Sequence, residues 1–372
     1  MRPYIYQQAD WPDFRWDYAS LSMLLGKVRN LQGRMVGKME LLGFELRNEA
    51  VLQTLTQDVL KSTEIEGELL DQWQVRSSIA RKLGMDVPGL VASDRNVDGV
   101  VDMMLDATGN FTLPLTVERL FGWHASLFPA GRSGLYRITA GKWRDDSTGP
   151  MQVVSGAMGK EKVHFEAPPA AQVESEMSRF VQWFNSSEHL VDPVLKAGLA
   201  HLWFVTIHPF EDGNGRIARA LADMLLARAD GISRRYYSMS SQIKVERNAY
   251  YQVLEKTQLG TLDVTQWLQW FLTCLLNALE SSDQILVRVL NKHKFWNLNA
   301  TQILNNRQIL LINKILDGFE GNLTSSKWAK IAKCSPDTAL RDIQDLINKN
   351  ILHKELKGGR STCYELAWPE TN

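Results

Sequence analysis

The stretch His208-Pro209-Phe210-Glu211-Asp212-Gly213-Asn214-Gly215-Arg216-Ile217-Ala218-Arg219 constrains the fold more than any other part of the chain, because it stops one helix and starts another within twelve residues. Pro209 biases His208 away from the right-handed helical region, so the apolar helix containing Leu202 to Thr206 should end there. The Gly213-Asn214-Gly215 run permits unusual backbone angles and close approach, directly before a second helix marked by Ile217, Ala220, Leu221, Met224 and Leu225. A glycine-rich loop opening a helix presents free N–H groups at the positive end of the helix dipole, which suits an anion such as phosphate.

The side chains on this loop belong to one kind of chemistry. Arg216 and Arg219 fall at i and i+3 in the first turn, where two guanidinium forks could grip successive phosphates. Each opposes the helix dipole by about 0.3 to 1 kcal/mol, so a bound anion accounts for them better than helix stability does. Asp212 supplies a hard oxygen ligand for a Mg²⁺ that keeps most of its waters. His208, with an ordinary pKa of about 6.5, can take a proton from an attacking hydroxyl. The bland alternative makes His208 a helix-end residue, the glycines a turn, and Arg219 a surface partner of Asp223 at i+4. Base, metal ligand, anion cradle and clamps within twelve residues favour the chemical reading.

The segment meets every position of HxFx(D/E)GNGRxxR and resembles the Fic motif of Fic-domain nucleotidyltransferases. The resemblance implies transfer of AMP from ATP to a Ser, Thr or Tyr hydroxyl of a target protein. It makes His208 the base and Asp212 the ligand of the Mg²⁺ bridging the α- and β-phosphates. Gly213, Asn214 and Gly215 would form the anion hole, and Arg216 and Arg219 would take the outer phosphates. It also implies a mostly α fold: a Fic-type helical bundle core with a β-hairpin flap.

Extended runs at Gly149–Gly156 and Gly159–Glu166 fit such a flap, whose Val153, Val163, His164 and Phe165 would meet an extended target segment by strand addition. Tyr250 and Tyr251 correspond to paired aromatics that lie against the nucleoside in the family, or else are core residues; Gln258 departs from the Asn often found there. Ser62-Thr63-Glu64-Ile65-Glu66-Gly67 resembles the inhibitory motif (S/T)xxxE(G/N), with Ser62, Glu66 and Gly67 at its fixed positions. By that likeness Glu66 pairs with Arg219 in the place of the γ-phosphate. Thr63 with Glu66 also reads as a capping box at a helix start. In some relatives the same glutamate aligns a water that removes AMP, which leaves the net direction open.

Forty-two Lys+Arg balance forty-two Asp+Glu, so no chain-wide basic field draws the surface to nucleic acid or anionic lipid. Cys274, Cys334 and Cys363 form neither a CxxC pair nor an even set, which argues against a disulfide framework and a structural zinc. No apolar leader and no run of about 18 to 20 apolar residues is present, so the expectation is a cytoplasmic protein with no membrane partner. The expected domains are a helical N-terminal region carrying the inhibitory motif (1–99), a Fic core (100–285), an Asn-rich linker (286–306) and a tail (307–372). That tail reads helix Arg307–Leu316, helix Ser325–Ile331 and helix Ser335–Ile347, then strands Ile351–Glu355 and Cys363–Leu366 around Gly358-Gly359-Arg360. Its order resembles a winged helix-turn-helix. The tail holds ten Lys+Arg against eight Asp+Glu, and Lys354, Lys357 and Arg360 on the presumed wing are the better-placed contacts for DNA. The partners expected are thus a target protein, with a homodimer and DNA as further readings. The competing functions are net de-adenylylation through Glu66, and a transcription regulator whose Fic core senses nucleotide.

Overall fold

The computed structural model describes residues 3–87, 89–147, 149–155, 162–186, 191–318, 321–355 and 362–367, apart from the side chains of residues 284 and 285. The hairpin-turn glycines Gly156 and Gly159 and the wing residues Lys357, Gly358, Gly359 and Arg360 lie outside the described residues. The chain forms two compact units, Met1–Lys82 with Ala92–Asp283, and Leu83–Val91 with Gln284–Asn372.

The larger unit is helical, as expected. In chain order it contains α1 (Tyr18–Glu40), α2 (Phe44–Ile65), α3 (Gln72–Lys82), α4 (Arg95–Gly109) and α5 (Val117–Leu127). Two antiparallel pairs follow, β1 (Arg132–Ser133) with β2 (Tyr136–Arg137), and β3 (Gln152–Ser155) with β4 (Lys162–Glu166). Then come α6 (Ala170–Asn185), α7 (Pro193–Ile207), α8 (Asn214–Asp230), α9 (Met239–Val245), α10 (Arg247–Gln258) and the first part of α11 (Thr265–Leu298). Asp192 caps α7 with Pro193 at its first position, a helix start that needs no N–H from the proline. Nearly every residue of α7 is buried, so it runs through the centre as a helix apolar on all sides must. Gly198 makes this crowding workable: a Cβ there would meet the Phe271 ring at 3.1 Å. The Trp267 indole also donates to the Gly198 carbonyl at 2.8 Å.

The N-terminal region is part of this unit rather than an appendage. The cause is α2, whose polar Asp58 is 1% exposed and accepts from Ser238 Oγ at 2.6 Å and from Ser240 N at 3.2 Å. The aromatic residues near the start form an anchoring mini-core: Trp11 and Phe14 pack edge-on against Trp203.

The smaller unit contains the end of α11, then α12 (Asn306–Leu316), α13 (Ser325–Ile331), α14 (Pro336–Asn348) and the antiparallel pair β5 (Leu352–Lys354) and β6 (Tyr364–Leu366). Side chains of Asn305, Thr324 and Ser335 cap the three helices. Their core is Leu311, Ile312, Trp328, Ile343, Leu346 and Tyr364 around Phe295. Residues 286–298 are helical where a linker was expected. Val289 and Phe295 are both fully buried and Lys292 pairs with Asp317 at 2.7 Å, so packing carries the helix through this stretch. Among the described residues no helix is long and apolar enough to cross a membrane.

Candidate active site

The loop between α7 and α8 takes its shape from three constraints. His208 ends α7 in the left-handed conformation, φ 51° and ψ 58°, so Pro209 removes it from the helix by a sharper route than the extended one expected. Asn214 staples the loop: its side-chain amide donates to Phe210 O at 2.8 Å and accepts from Phe210 N at 3.0 Å. Gly213 caps α8 at φ 78°, and a Cβ there would meet the Phe128 ring at 2.9 Å, so no other residue fits without moving that ring. The first N–H groups of α8 have no intrahelical acceptors, as at any helix start, and they open onto the loop.

His208 is held by its surroundings in one tautomer. Its Nδ1 lies 3.3 Å from Val205 O, which can only accept, so the proton sits on Nδ1 and Nε2 keeps its lone pair. Burial lowers its pKa from 6.5 to about 4; the Val205 carbonyl pushes upward and Arg144 downward, with Asp212 and Glu66 opposing. Arg144 was not singled out in the sequence, where it has no motif around it. It is 4% exposed and donates Nε to the His208 carbonyl at 2.7 Å, while its own N–H donates to Pro209 O at 2.9 Å. Arg144 therefore fixes the backbone that carries the His208 ring.

Asp212 accepts from Gly213 N at 2.6 Å and from the Ser133 hydroxyl on β1. Beneath it, the His124 ring stacks on Phe210, with centroids 4.1 Å apart, and its Nε2 donates to Asp212 O at 3.2 Å while Nδ1 accepts from Gly141 N at 2.9 Å. Protonating Nδ1 would set two donors against each other. Burial lowers His124 to a pKa of about 4 and His201, bonded to Tyr250 Oη at 3.0 Å, to about 3. Both folded values lie below the unfolded 6.5, so this contribution to stability is full above pH 6.5 and is lost as pH falls toward 4. The raised carboxyl of Asp223 works in the opposite sense. With His208 lowered in the same way, three imidazoles act against the carboxyl, and the net expectation is a loss of stability between pH 7 and pH 5, read from urea midpoints at each pH.

The arginines face carboxylates. Arg219, 1% exposed at its side chain, meets Glu66 Oε1 at 2.8 Å and donates Nε to Ser62 Oγ at 2.9 Å and Nη2 to Ser62 O at 2.8 Å. Burial acts to lower its pKa, and Glu66 with Tyr250 and Tyr251 together turn the shift upward. Arg216, 2% exposed, meets Glu68 Oε2 at 3.0 Å and lies over the Phe128 ring at 5.0 Å. Among the described residues Arg216 Nε and Arg219 Nη1 are buried donors without an acceptor. Asp223 pairs with Arg235 at 2.8 Å, so the i+4 partnership with Arg219 does not form.

Both glutamates come from the end of α2, where the capping-box reading fails because Thr63 and Glu66 lie at a helix C-terminus. Glu68 N donates to Thr63 O at 3.2 Å and Gly67 N to Glu64 O at 3.1 Å, with Gly67 at φ 89°. That is a Schellman cap, which needs a glycine at this position. Glu66 reaches so far into the loop that a Cβ on Gly215 would stand 2.2 Å from its Oε1. Gly67→Ala is therefore expected to cost about 1 to 2 kcal/mol by forcing an L-residue into the left-handed region, measured as a lower urea midpoint.

Tyr250 is buried against Trp267 and Trp270, with its hydroxyl bonded to His201 and lying near Arg219. Tyr251 is less buried and stacks under Arg247 at 5.2 Å. Gln258 is 4% exposed and donates to Thr206 Oγ1 at 3.3 Å. On the hairpin, Val153 pairs with Phe165 and Val154 with Val163 across a bulge. Val163 is exposed, and His164 is held by Ser155 at 2.6 Å and Glu255 at 2.8 Å. Phe165 corrects the expectation of a target contact: it is 2% exposed, its ring packed edge-on against Tyr4 and Tyr6.

The fold and site together define a helix–loop–helix with a buried imidazole and two glutamate-paired arginines at a glycine-rich loop. Residues 114–226 match the family described as Fic/DOC, so the chain carries a Fic domain, and residues 4–85 match a domain of unknown function, DUF4172. A protein adenylyltransferase Fic from Drosophila yakuba is 39% identical over 106 residues, 28% of this chain and 20% of that protein. One from Nematostella vectensis is 25% identical over 285 residues, 71% of this chain and 59% of that protein. The chain thus spans from a fifth to about three fifths of these relatives' length. In fold it is similar to a Fic family protein from Desulfovibrio desulfuricans G20, at 20% identity and TM-score 0.52 over 95% of this chain and 97% of that one.

Proposed function

We propose that the chain is a protein adenylyltransferase that moves AMP from ATP to a side-chain hydroxyl of a target protein and is restrained by Glu66. The observation that carries this reading is the carboxylate of Glu66 on Arg219 and against Gly215, since it is an anion occupying a loop built for one. The two orphan donors, Arg216 Nε and Arg219 Nη1, are what the further oxygens of a polyphosphate would satisfy. His208 Nε2 takes the hydroxyl proton, the hydroxyl oxygen bonds to the α-phosphorus, and pyrophosphate leaves. Alignment and charge stabilisation suffice for such a step.

Among the described residues no group of three or more His, Cys, Asp or Glu side chains forms a metal cage. A Mg²⁺ that keeps its waters and takes phosphate oxygens needs only one carboxylate, and Asp212 fits that part. When bound, the ion would neutralise phosphate charge. The exposed hairpin residue Val163 and the partly exposed Val153 support target docking by strand addition. On the tail, α14 exposes Asp337 beside Arg341, a balanced pair that lends DNA binding no electrostatic support.

The test is to incubate Glu66→Gly protein with ATP labelled on the α-phosphate or on the γ-phosphate. The α label alone should enter protein, and it should fail to do so when His208→Ala is added. Transfer of the γ label would refute the reading; loss of AMP from a pre-labelled target by wild-type protein would point to the reverse reaction.

A further inference from the structure

We propose that Glu68 is a second positioning residue at this site, one that acts through Arg216 to hold off the outer phosphates of ATP independently of Glu66. The proposal rests on the reading of the loop as an ATP site. It starts from the Schellman cap, which places Glu66 at the C-cap of α2 and Glu68 two residues on, so that both carboxylates leave the same helix end. They meet the two arginines of the first turn of α8, Glu66 on Arg219 at 2.8 Å and Glu68 on Arg216 at 3.0 Å.

Neither pair of charges suits its own helix. Acids at the C-terminus of α2 and cations at the N-terminus of α8 both oppose the local dipole. Set end against end they cancel each other, and an incoming polyphosphate must displace two carboxylates instead of one. The two contacts differ in a way that assigns them separate roles. The Glu66 side chain is 29% exposed, and its partner is also gripped by Ser62 through Nε and Nη2. The Glu68 side chain is 47% exposed, and Arg216 has Phe128 below it and a buried Nε without an acceptor. Arg216 thus has unused capacity for an anion, and the more exposed Glu68 is the weaker competitor and the one more easily screened by salt.

The experiment compares full-length wild type, Glu68→Gln and Glu68→Asp, each with and without Glu66→Gly, by calorimetric titration with inorganic tripolyphosphate, Mg-ATP and AMP. Glu68→Gln should tighten tripolyphosphate and Mg-ATP three- to tenfold in both backgrounds and leave AMP, which lacks the outer phosphates, within twofold. Glu68→Asp keeps the charge and should stay near wild type, and the gain from Gln should shrink in 0.5 M salt. In the Glu66→Gly background Glu68→Gln should lower KM for ATP with kcat unchanged. Unaltered tripolyphosphate and ATP affinity in Glu68→Gln, an equal gain for AMP, or no tripolyphosphate binding in any variant overturns the proposal. If ATP binds as described and no AMP is transferred, the adenylyltransferase reading fails while the titrations still judge Glu68.

Discussion

Replacing Glu66 with glycine should raise the rate of AMP incorporation by about 10- to 100-fold, the factor that corresponds to removing a competitor worth about 1.4 to 2.8 kcal/mol. The competitor is well placed for that magnitude. The Glu66 oxygen is 2.8 Å from Arg219, whose side chain is 1% exposed, and it stands where a Cβ on Gly215 would be 2.2 Å away, so it blocks both a clamp and the backbone cradle. Such a pair is bistable, because the guanidinium can be satisfied by the glutamate or by phosphate. Removal leaves a buried cation with only its Ser62 hydrogen bonds, and the free variant should be less stable by about 1 to 2 kcal/mol. ATP restores an anion there, so it should raise the Tm of the variant more than that of wild type. Labelled-ATP kinetics and thermal melts with and without ATP check both statements. A rate within twofold of wild type would show that Glu66 does not restrain the site.

The parts of this site that were legible in the sequence are those whose chemistry is local. A proline after His208 and three residues of Gly-Asn-Gly fix a chain break and a helix start without help from elsewhere, and the apolar run of α7 and the periodicity of α8 follow from their own residues. The tail helices were legible for the same reason, since Thr324 and Ser335 cap them from adjacent positions. The illegible parts depend on distant partners. Arg144 becomes important only because the His208 carbonyl arrives beside it, and Glu68 only because Gly67 turns it toward Arg216. Asn214 was read as part of an anion hole, yet its side chain is spent on stapling Phe210, which leaves its backbone for that role. Thr63 shows how one local pattern serves two ends of a helix: the Ser/Thr-x-x-Glu spacing marks a start in isolation, but the apolar run lies before it, and Thr63 Oγ1 donates back to Val59 O at 3.0 Å.

His208→Ala in the Glu66→Gly background should lower AMP incorporation by about 100- to 10,000-fold, the range a positioned general base supplies. The pH dependence of the intact protein separates this role from a structural one. With Nδ1 donating to Val205 and a pKa of about 4, Nε2 is an unprotonated acceptor throughout the neutral range. The rate should therefore be flat with respect to this group from pH 6 to 8, and kcat/KM should fall about tenfold per unit only below pH 4, where an ordinary imidazole would already fail below about 6.5. Bound polyphosphate brings negative charge to the imidazole and favours its protonated form, so the acid limb of kcat, which reports the complex, should lie above that of kcat/KM, which reports the free protein. An acid limb of kcat/KM at 6 or higher would mean that the ring is solvated in the working enzyme and that the loop does not hold the base as its geometry indicates.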